Sequence, residues 1–170
     1  MKWKAASANM KKYVVDQLGV KKIIIDRPGE YLIELVKEGA EVEIGGQFLA
    51  AGSETKEVIV VIHHKAANTL ANTTLKGVGR DKAKVSFTGR IIIDPDCGNS
   101  NSFLTERILL LSDEAKAEAI PDLEILTDDV KCSHAASISR IPETQLFYLM
   151  SRGIPRAEAE ELIVEGFLSK

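Results

Sequence analysis

Cysteine, aromatic residues and long apolar segments are all scarce in this sequence. It has two cysteines in 170 residues, too few for a disulfide framework, so free thiols are expected. Aromatic residues make up 5%, so the core must be built mainly from Val, Ile, Leu and Ala. No segment approaches the roughly 18 apolar residues of a membrane span, and no apolar segment follows the basic start at 1–4. We therefore expect a cytoplasmic protein with no membrane partner.

The charge balance and the lack of a phosphate-binding loop exclude further classes of function. A formal net charge of -3 and a pI near 5.7 give no strong positive field, so nucleic acid is not an expected partner. The sequence has no Gly-x-x-x-x-Gly-Lys-[Ser/Thr] segment, so it is expected to bind no nucleotide. No nucleophile, base and orienting acid stand at the spacings of a covalent hydrolase. The prediction is a protein that is not an enzyme.

Short runs rich in Val and Ile dominate the first three-quarters of the chain. Gly, Asp and Asn bound them at close spacing, which is typical of an all-β architecture with short strands. Some runs are apolar throughout, which indicates burial on both faces or stacking between neighbouring strands. No fixed-period repeat is visible, so pattern alone leaves a parallel β-helix, a sandwich and a jelly roll open. The runs are 22–25, 31–36, 40–44, 57–63, 83–87, 90–93, 108–111 and 123–126.

After Cys132 the apolar pattern changes to a helical period. Pro142 stands at a plausible first helical position, Leu and Met recur at helical spacing, and Gly153 supplies a stop. A second helix is predicted from about Pro155, weakening at Gly166. The sequence thus predicts a mainly β core over 1–140 and an α-helical hairpin over 141–170.

Four segments carry a resemblance to a known family. They are LLLSDEA at 109–115, PDLEI at 121–125, DDVKCSH at 128–134 and FYLMSRGI at 147–154. Together they resemble the signature core of the SufB/SufD family of iron-sulfur cluster assembly scaffolds, and the SufD side most. The match covers about 87–167, whereas residues before about 86 match only in their general pattern of short apolar runs.

The resemblance implies a right-handed parallel β-helix core, a C-terminal helical domain and action in a complex with a SufC-like ATPase. Three departures stand against it. Full-length members carry a longer N-terminal region, and their helical domain continues beyond the equivalent of Lys170. Ala135 stands where the SufD-like motif usually has Gly after the His, although a small residue is kept.

Cys132 and His134 are the leading ligand candidates. On an extended strand, positions i and i+2 point to the same side, so the thiol and the imidazole are expected side by side. Thiolate and imidazole together suit an iron-sulfur cluster or zinc. The resemblance implies that they lie at a cluster-forming site between subunits, emerging from a terminal strand onto a shared surface. The alternative is a buried Cys beside a surface His, with no metal.

Cys97 and Glu106 are secondary ligand candidates. Cys97 lies in the turn-rich segment 94–102, where exposure sufficient for binding or reaction is expected. Glu106 falls at about the position of a functional cysteine on the SufB side, with a solvated rim charge as the alternative. His63 and His64 end one apolar run and are predicted to face opposite ways, which excludes a shared metal from that strand.

The leading hypothesis is a scaffold that binds a transient iron-sulfur cluster as a homodimer, or as a heterodimer with a SufB-like subunit. Open strands at the end of a sheet stack are natural templates for such pairing. The alternatives are a metal-free interaction domain that keeps only the dimer surface, and a small β-fold metal-dependent enzyme. The helical residues expected to bind the ATPase, or to pack on the β core, are Phe147, Tyr148, Arg152, Leu162 and Phe167.

Overall fold

The computed structural model describes residues 9–169 and consists of ten parallel strands followed by two helices. Strands of odd number form sheet 1, in the order β1-β3-β5-β7-β9, and strands of even number form sheet 2, in the order β10-β8-β6-β4-β2. The strands are β1 (Lys11–Val15), β2 (Gly19–Ile25), β3 (Gly29–Leu35), β4 (Ala40–Ala50), β5 (Thr55–His64), β6 (Leu70–Gly79), β7 (Lys84–Ile93), β8 (Ser100–Leu110), β9 (Lys116–Ile125) and β10 (Val130–Arg140).

The chain alternates between the two sheets, so each pair of strands is one coil of a stack. Hydrogen-bonded side chains one coil apart are separated by 31 residues at Glu34–Lys65 and Asn68–Asn99. Earlier coils are shorter, since Lys11 pairs with Tyr31. The stack of parallel coils predicted from the resemblance is confirmed, while its right-handed sense stays a prediction. The repeat escaped sequence analysis because its length varies and stacked positions carry different residue types.

The core lies between the two sheets and is almost entirely aliphatic. Phe48 on β4 meets Phe87 on β7 edge to face, with ring centroids 5.7 Å apart, and so joins the sheets across the interior. Alternate residues of each strand point inward, which gives the alternating burial of a half-buried strand. The other large, fully buried side chains are Tyr31, Ile25, Ile33, Leu35, Ile62, Leu75, Ile91, Ile93, Leu104, Ile108 and His64.

Several strands differ from the sequence prediction. β6 was not predicted, because Asn, Thr and Gly dilute its apolar character, yet it is the central strand of sheet 2. Its Gly77 allows close packing, since a Cβ there would lie 2.6 Å from Cγ1 of Val85. β10 continues to Arg140, beyond the predicted change of period after Cys132. In addition, the two runs at 83–87 and 90–93 are one strand, β7.

The predicted helical hairpin is confirmed as α1 (Glu143–Ser151) and α2 (Arg156–Ser169). Pro142 is the N-cap of α1, one residue before the predicted position, and α2 continues past Gly166. Val164 of α2 is buried with Val78 and Leu109 against the outer face of sheet 2. The change from strand to helix falls between 140 and 143, and the division into two domains there stays a prediction. Within residues 9–169, neither helix combines the length and apolar character needed to cross a bilayer.

Candidate functional site at the terminal coil

The last coil of the stack is open to solvent. β9 and β10 are the end strands of the two sheets, so among the described residues each has one edge without a neighbouring strand. Their inward-facing side chains are in register with buried residues of the preceding coil, as Leu123 is with Ile91 and Ile138 with Ile108. Leu123, Ile125 and Ile138 are nevertheless exposed. The apolar interior is therefore uncovered at this end, which is a feature of interaction surfaces.

Cys132 and His134 lie on β10 and point into this open end. Their side chains are on the same side of the strand, as predicted, because residues 130–134 alternate between partly buried and exposed. Cys132 is in register with Ser102, and His134 with Leu104. The expected emergence of both side chains onto the surface is wrong for His134, whose imidazole is 2% exposed. The thiol of Cys132 is half-buried and packs against the core.

Glu106 on β8, in the preceding coil, completes a polar cluster with His134 between the last two coils. Its side chain is fully buried, so the solvated rim position considered from sequence is wrong. Oε2 of Glu106 lies 3.2 Å from Nε2 of His134. This contact brings the two groups together as an ion pair when the imidazole is protonated, but its geometry does not make a hydrogen bond. Both carboxylate oxygens and both ring nitrogens are thus buried without a hydrogen-bond partner in the described chain.

Buried polar groups without partners are unusual and often have a functional cause. Ser102 lies on β8 in register with Cys132 and extends the cluster along that strand; its hydroxyl is also buried without a hydrogen-bond partner among residues 9–169. Sequence reasoning missed Ser102, because a serine in a strand carries no distinct signal. It also missed Gly89, although a glycine that interrupts an apolar run is typical of close backbone approach.

The two cysteines lie in different environments. Burial raises the pKa of the Cys132 thiol, so the thiol is protonated near neutral pH. Cys97 is 4% exposed and belongs to the core, so its expected exposure is wrong. Burial, followed by the charges of Asp94 and Asp96, raises its pKa as well. The turn containing Cys97 directs this side chain inward rather than toward solvent.

The described part of the chain offers an incomplete set of metal ligands. No group of three His, Cys, Asp or Glu side chains within residues 9–169 is placed to hold a metal ion. The pair of Glu106 and His134 does fit one ion, since donors bound at about 2.1 Å to one divalent cation stand about 3.2 Å apart at bond angles near 100°. The described residues therefore offer two donors at the spacing of neighbouring ligands, next to the open end of the stack.

Comparison with protein-family models shows which family this chain belongs to. Residues 28–167 match the model described as SUF system FeS cluster assembly, SufBD core domain. The chain belongs to the SufBD family. It is 39% identical over 118 residues to the iron-sulfur cluster assembly protein SufD of Bacillus subtilis, covering 69% of this chain and 27% of that protein.

Other SufBD proteins give a similar result. A SufBD family protein of Staphylococcus saprophyticus is 33% identical over 134 residues, and one of Staphylococcus epidermidis is 32% identical over the same length. Each match covers 79% of this chain and 29% of the relative. The chain thus spans less than a third of the length of these relatives. The family resemblance inferred from the four signature segments is confirmed.

His63 and His64 of this SufBD chain face opposite ways, as predicted. Nε2 of His63 lies 2.8 Å from Oδ1 of Asp94 at a partly buried position, whereas His64 is fully buried. Nδ1 of His64 lies 2.7 Å from the hydroxyl of Thr69, which in turn lies 2.9 Å from the hydroxyl of Ser100. The two histidines therefore belong to separate surroundings and cannot share a metal.

Acid is expected to destabilise the SufBD core through His64. Burial, with a smaller contribution from His63, lowers the His64 pKa from 6.5 to about 4. The unfolded chain then binds the proton more readily, so stability should fall as pH drops from about 6.5 to 4, by roughly 3 kcal/mol in all. Urea unfolding of wild type and His64→Asn across this range measures the effect. A slope of equal size in both proteins would contradict the assignment.

The helical residues predicted to bind a partner divide into two groups. Phe147 and Tyr148 on α1 are 74% and 57% exposed, and the guanidinium of Arg152 stacks on the ring of Tyr148. Leu162 on α2 is exposed as well. Phe167, by contrast, packs against the apolar cluster beneath α2 and lies under the guanidinium of Arg107. The hairpin therefore presents an aromatic surface of Phe147, Tyr148 and Arg152 on the side formed by α1.

Proposed function

We propose that this chain is a non-enzymatic scaffold component of a SUF-type iron-sulfur cluster assembly complex. The carrying observation is the buried carboxylate and imidazole without hydrogen-bond partners at the open end of the stack. Membership of the SufBD family points to iron-sulfur cluster assembly as the process. The carboxylate, imidazole and thiol are groups that bind iron, which points to iron or a cluster as the species held. Iron or a nascent cluster is a substrate that His134, Glu106 and Cys132 hold transiently. We expect the protein to act in the cytoplasm.

The site is completed by a second subunit. Residues 9–169 of one chain supply too few ligands, and the uncovered apolar residues of β9 and β10 lie at the same end of the stack. Pairing of β10 with the edge strand of another copy, or of a SufB-like subunit, would cover this apolar surface and bring further ligands to the cluster. Cys132 at the rim faces such a partner, whereas Cys97, buried in a turn of the preceding coil, serves packing.

The aromatic surface of α1 is the docking site for a SufC-like ATPase. Exposed aromatic side chains with a stacked arginine are the residue types that dominate the energetics of protein interfaces. Because this chain has no phosphate-binding loop, the energy of ATP hydrolysis would enter the complex through that contact. Binding to a SufC-type ATPase that is equally tight in wild type and in the double variant Phe147→Ala, Tyr148→Ala would contradict this docking site.

Anaerobic reconstitution tests the cluster function. The chain, alone and with a SufB-type subunit, is treated with ferric iron and sulfide, and the visible charge-transfer absorption is recorded. We expect absorption that is strongly reduced in Cys132→Ser and little changed in Cys97→Ser, which serves as the matched control. Undiminished absorption in Cys132→Ser would reject the site. No absorption in any of these proteins, together with normal assembly with the ATPase, would favour a metal-free interaction domain.

A further inference from the structure

Gly89 lies on β7, across the interior from the polar cluster. It is in register with Val60 on one side and Pro121 on the other, and it is buried in sheet 1. A Cβ built on Gly89 would lie 2.1 Å from Cδ2 of Leu104, 2.8 Å from Oε1 of Glu106 and 2.9 Å from Cε1 of His134. Carbon atoms in proteins do not approach so closely, so a side chain here cannot coexist with these three neighbours as placed.

The glycine is not a requirement of the strand itself. The backbone of Gly89 does not adopt the left-handed conformation that favours glycine, and the inward positions Phe87 and Ile91 on either side carry large side chains. In a strand interior, glycine is destabilising relative to alanine. The close neighbours of Gly77 are the apolar Val85 and Phe87, whereas those of Gly89 include both ionisable groups of the cluster.

We propose that Gly89 is a positioning residue: its lack of a side chain leaves the space in which the Glu106 carboxylate and the His134 imidazole meet inside the coil. The role given to this space, the presentation of iron ligands, rests on the proposed function. The contacts around Gly89 do not depend on it. A methyl group at position 89 displaces the ends of these side chains. His134 has the freer path, because β10 is the end strand of its sheet.

Chemical accessibility of the imidazole tests the positioning directly. Diethyl pyrocarbonate modifies exposed histidines, and mass spectrometry resolves the three histidines of the chain. In Gly89→Ala we expect His134 to be modified severalfold faster than in wild type, with the rate at His64 unchanged. Gly45→Ala is the matched control, since this glycine also lies in a strand and its Cβ would meet only Cδ1 of Ile24 at 3.7 Å. An unchanged rate at His134 in folded Gly89→Ala overturns the proposal.

A second pair of variants covers the case in which Gly89→Ala does not fold. Leu104→Ala removes the most severe overlap and leaves those with Glu106 and His134. His134 should therefore be modified faster in the double variant Gly89→Ala, Leu104→Ala than in Leu104→Ala alone. Equal rates in these two proteins overturn the proposal.

Metal binding separates this inference from the proposed function. Co²⁺ added anaerobically reports ligand geometry through its visible absorption. We expect Gly89→Ala to weaken Co²⁺ binding while Gly45→Ala does not, and equal binding by Gly89→Ala and wild type counts against the proposal. If the wild-type protein binds no Co²⁺, alone or with a SufB-type subunit, the proposed function fails, and the modification rates still decide whether Gly89 positions His134.

Discussion

Aspartate at both Leu123 and Ile138 is expected to weaken subunit association by at least about 100-fold, or about 3 kcal/mol. Both side chains point inward in the terminal coil, where a partner strand would cover them, and both are exposed in the single chain. A carboxylate buried there without a partner is strongly unfavourable. Each monomer should be affected much less, because at these positions the new charges remain in water.

The measurement is the mass in solution over a dilution series, for the chain alone and for its mixture with a SufB-type subunit. Leu49→Asp is the matched control, because Leu49 is at least as exposed but lies on β4, away from the open end. It should leave association unchanged. Association that survives the double substitution, or that Leu49→Asp weakens to the same degree, would place the interface elsewhere on the molecule.

Removal of the His134 imidazole is expected to lower the affinity for Fe²⁺ by about 100-fold or more. Loss of a residue that only hydrogen-bonds a metal ligand already lowers metal affinity by about 10–100-fold, and loss of the ligand itself should cost more. His134→Ala takes away one of two donors that stand 3.2 Å apart and leaves Glu106 buried without its neighbour. The affinity for Fe²⁺ is measured anaerobically by competition with Co²⁺, whose visible absorption reports how much Co²⁺ is bound. Thermal unfolding of the variant shows whether the fold survives.

His63→Ala is the control for the titration. His63 pairs with Asp94 rather than with the cluster, and it lies outside the interior. We expect wild-type affinity for this variant and an intermediate loss for Glu106→Gln, which keeps one oxygen donor. An affinity that is unchanged in His134→Ala, or reduced equally in His63→Ala, would contradict the proposed ligand set.

The placement of Cys132 beside His134 was predictable, whereas the burial of Glu106 was not. The spacing of two residues on a strand places both side chains on one side regardless of the rest of the fold. The burial of Glu106 depends on which coil covers β8 and on the space left by Gly89, and both are long-range properties. Charged residues are mostly exposed in folded proteins, so a solvated position at the rim was the natural expectation for Glu106.

The strands show the same division between local and long-range causes. The runs of Val and Ile identified β5 and β7, because those strands are apolar enough to be recognised alone. β6 became a strand through pairing with β4 and β8 on both edges and through α2 packed on its outer face. Cys97 was misplaced because turn residues indicate a reversal of the chain but not which side chain points inward.

The most direct test of the central claim, that the terminal coil carries part of an iron site which a second subunit completes, is the iron content of each oligomeric state. The anaerobically loaded protein, with or without a SufB-type subunit, is separated by size at several dilutions, and iron per chain is measured in each fraction. The structure predicts that iron elutes with the dimer and is lost as monomer forms. Monomer that retains as much iron per chain as the dimer would contradict it.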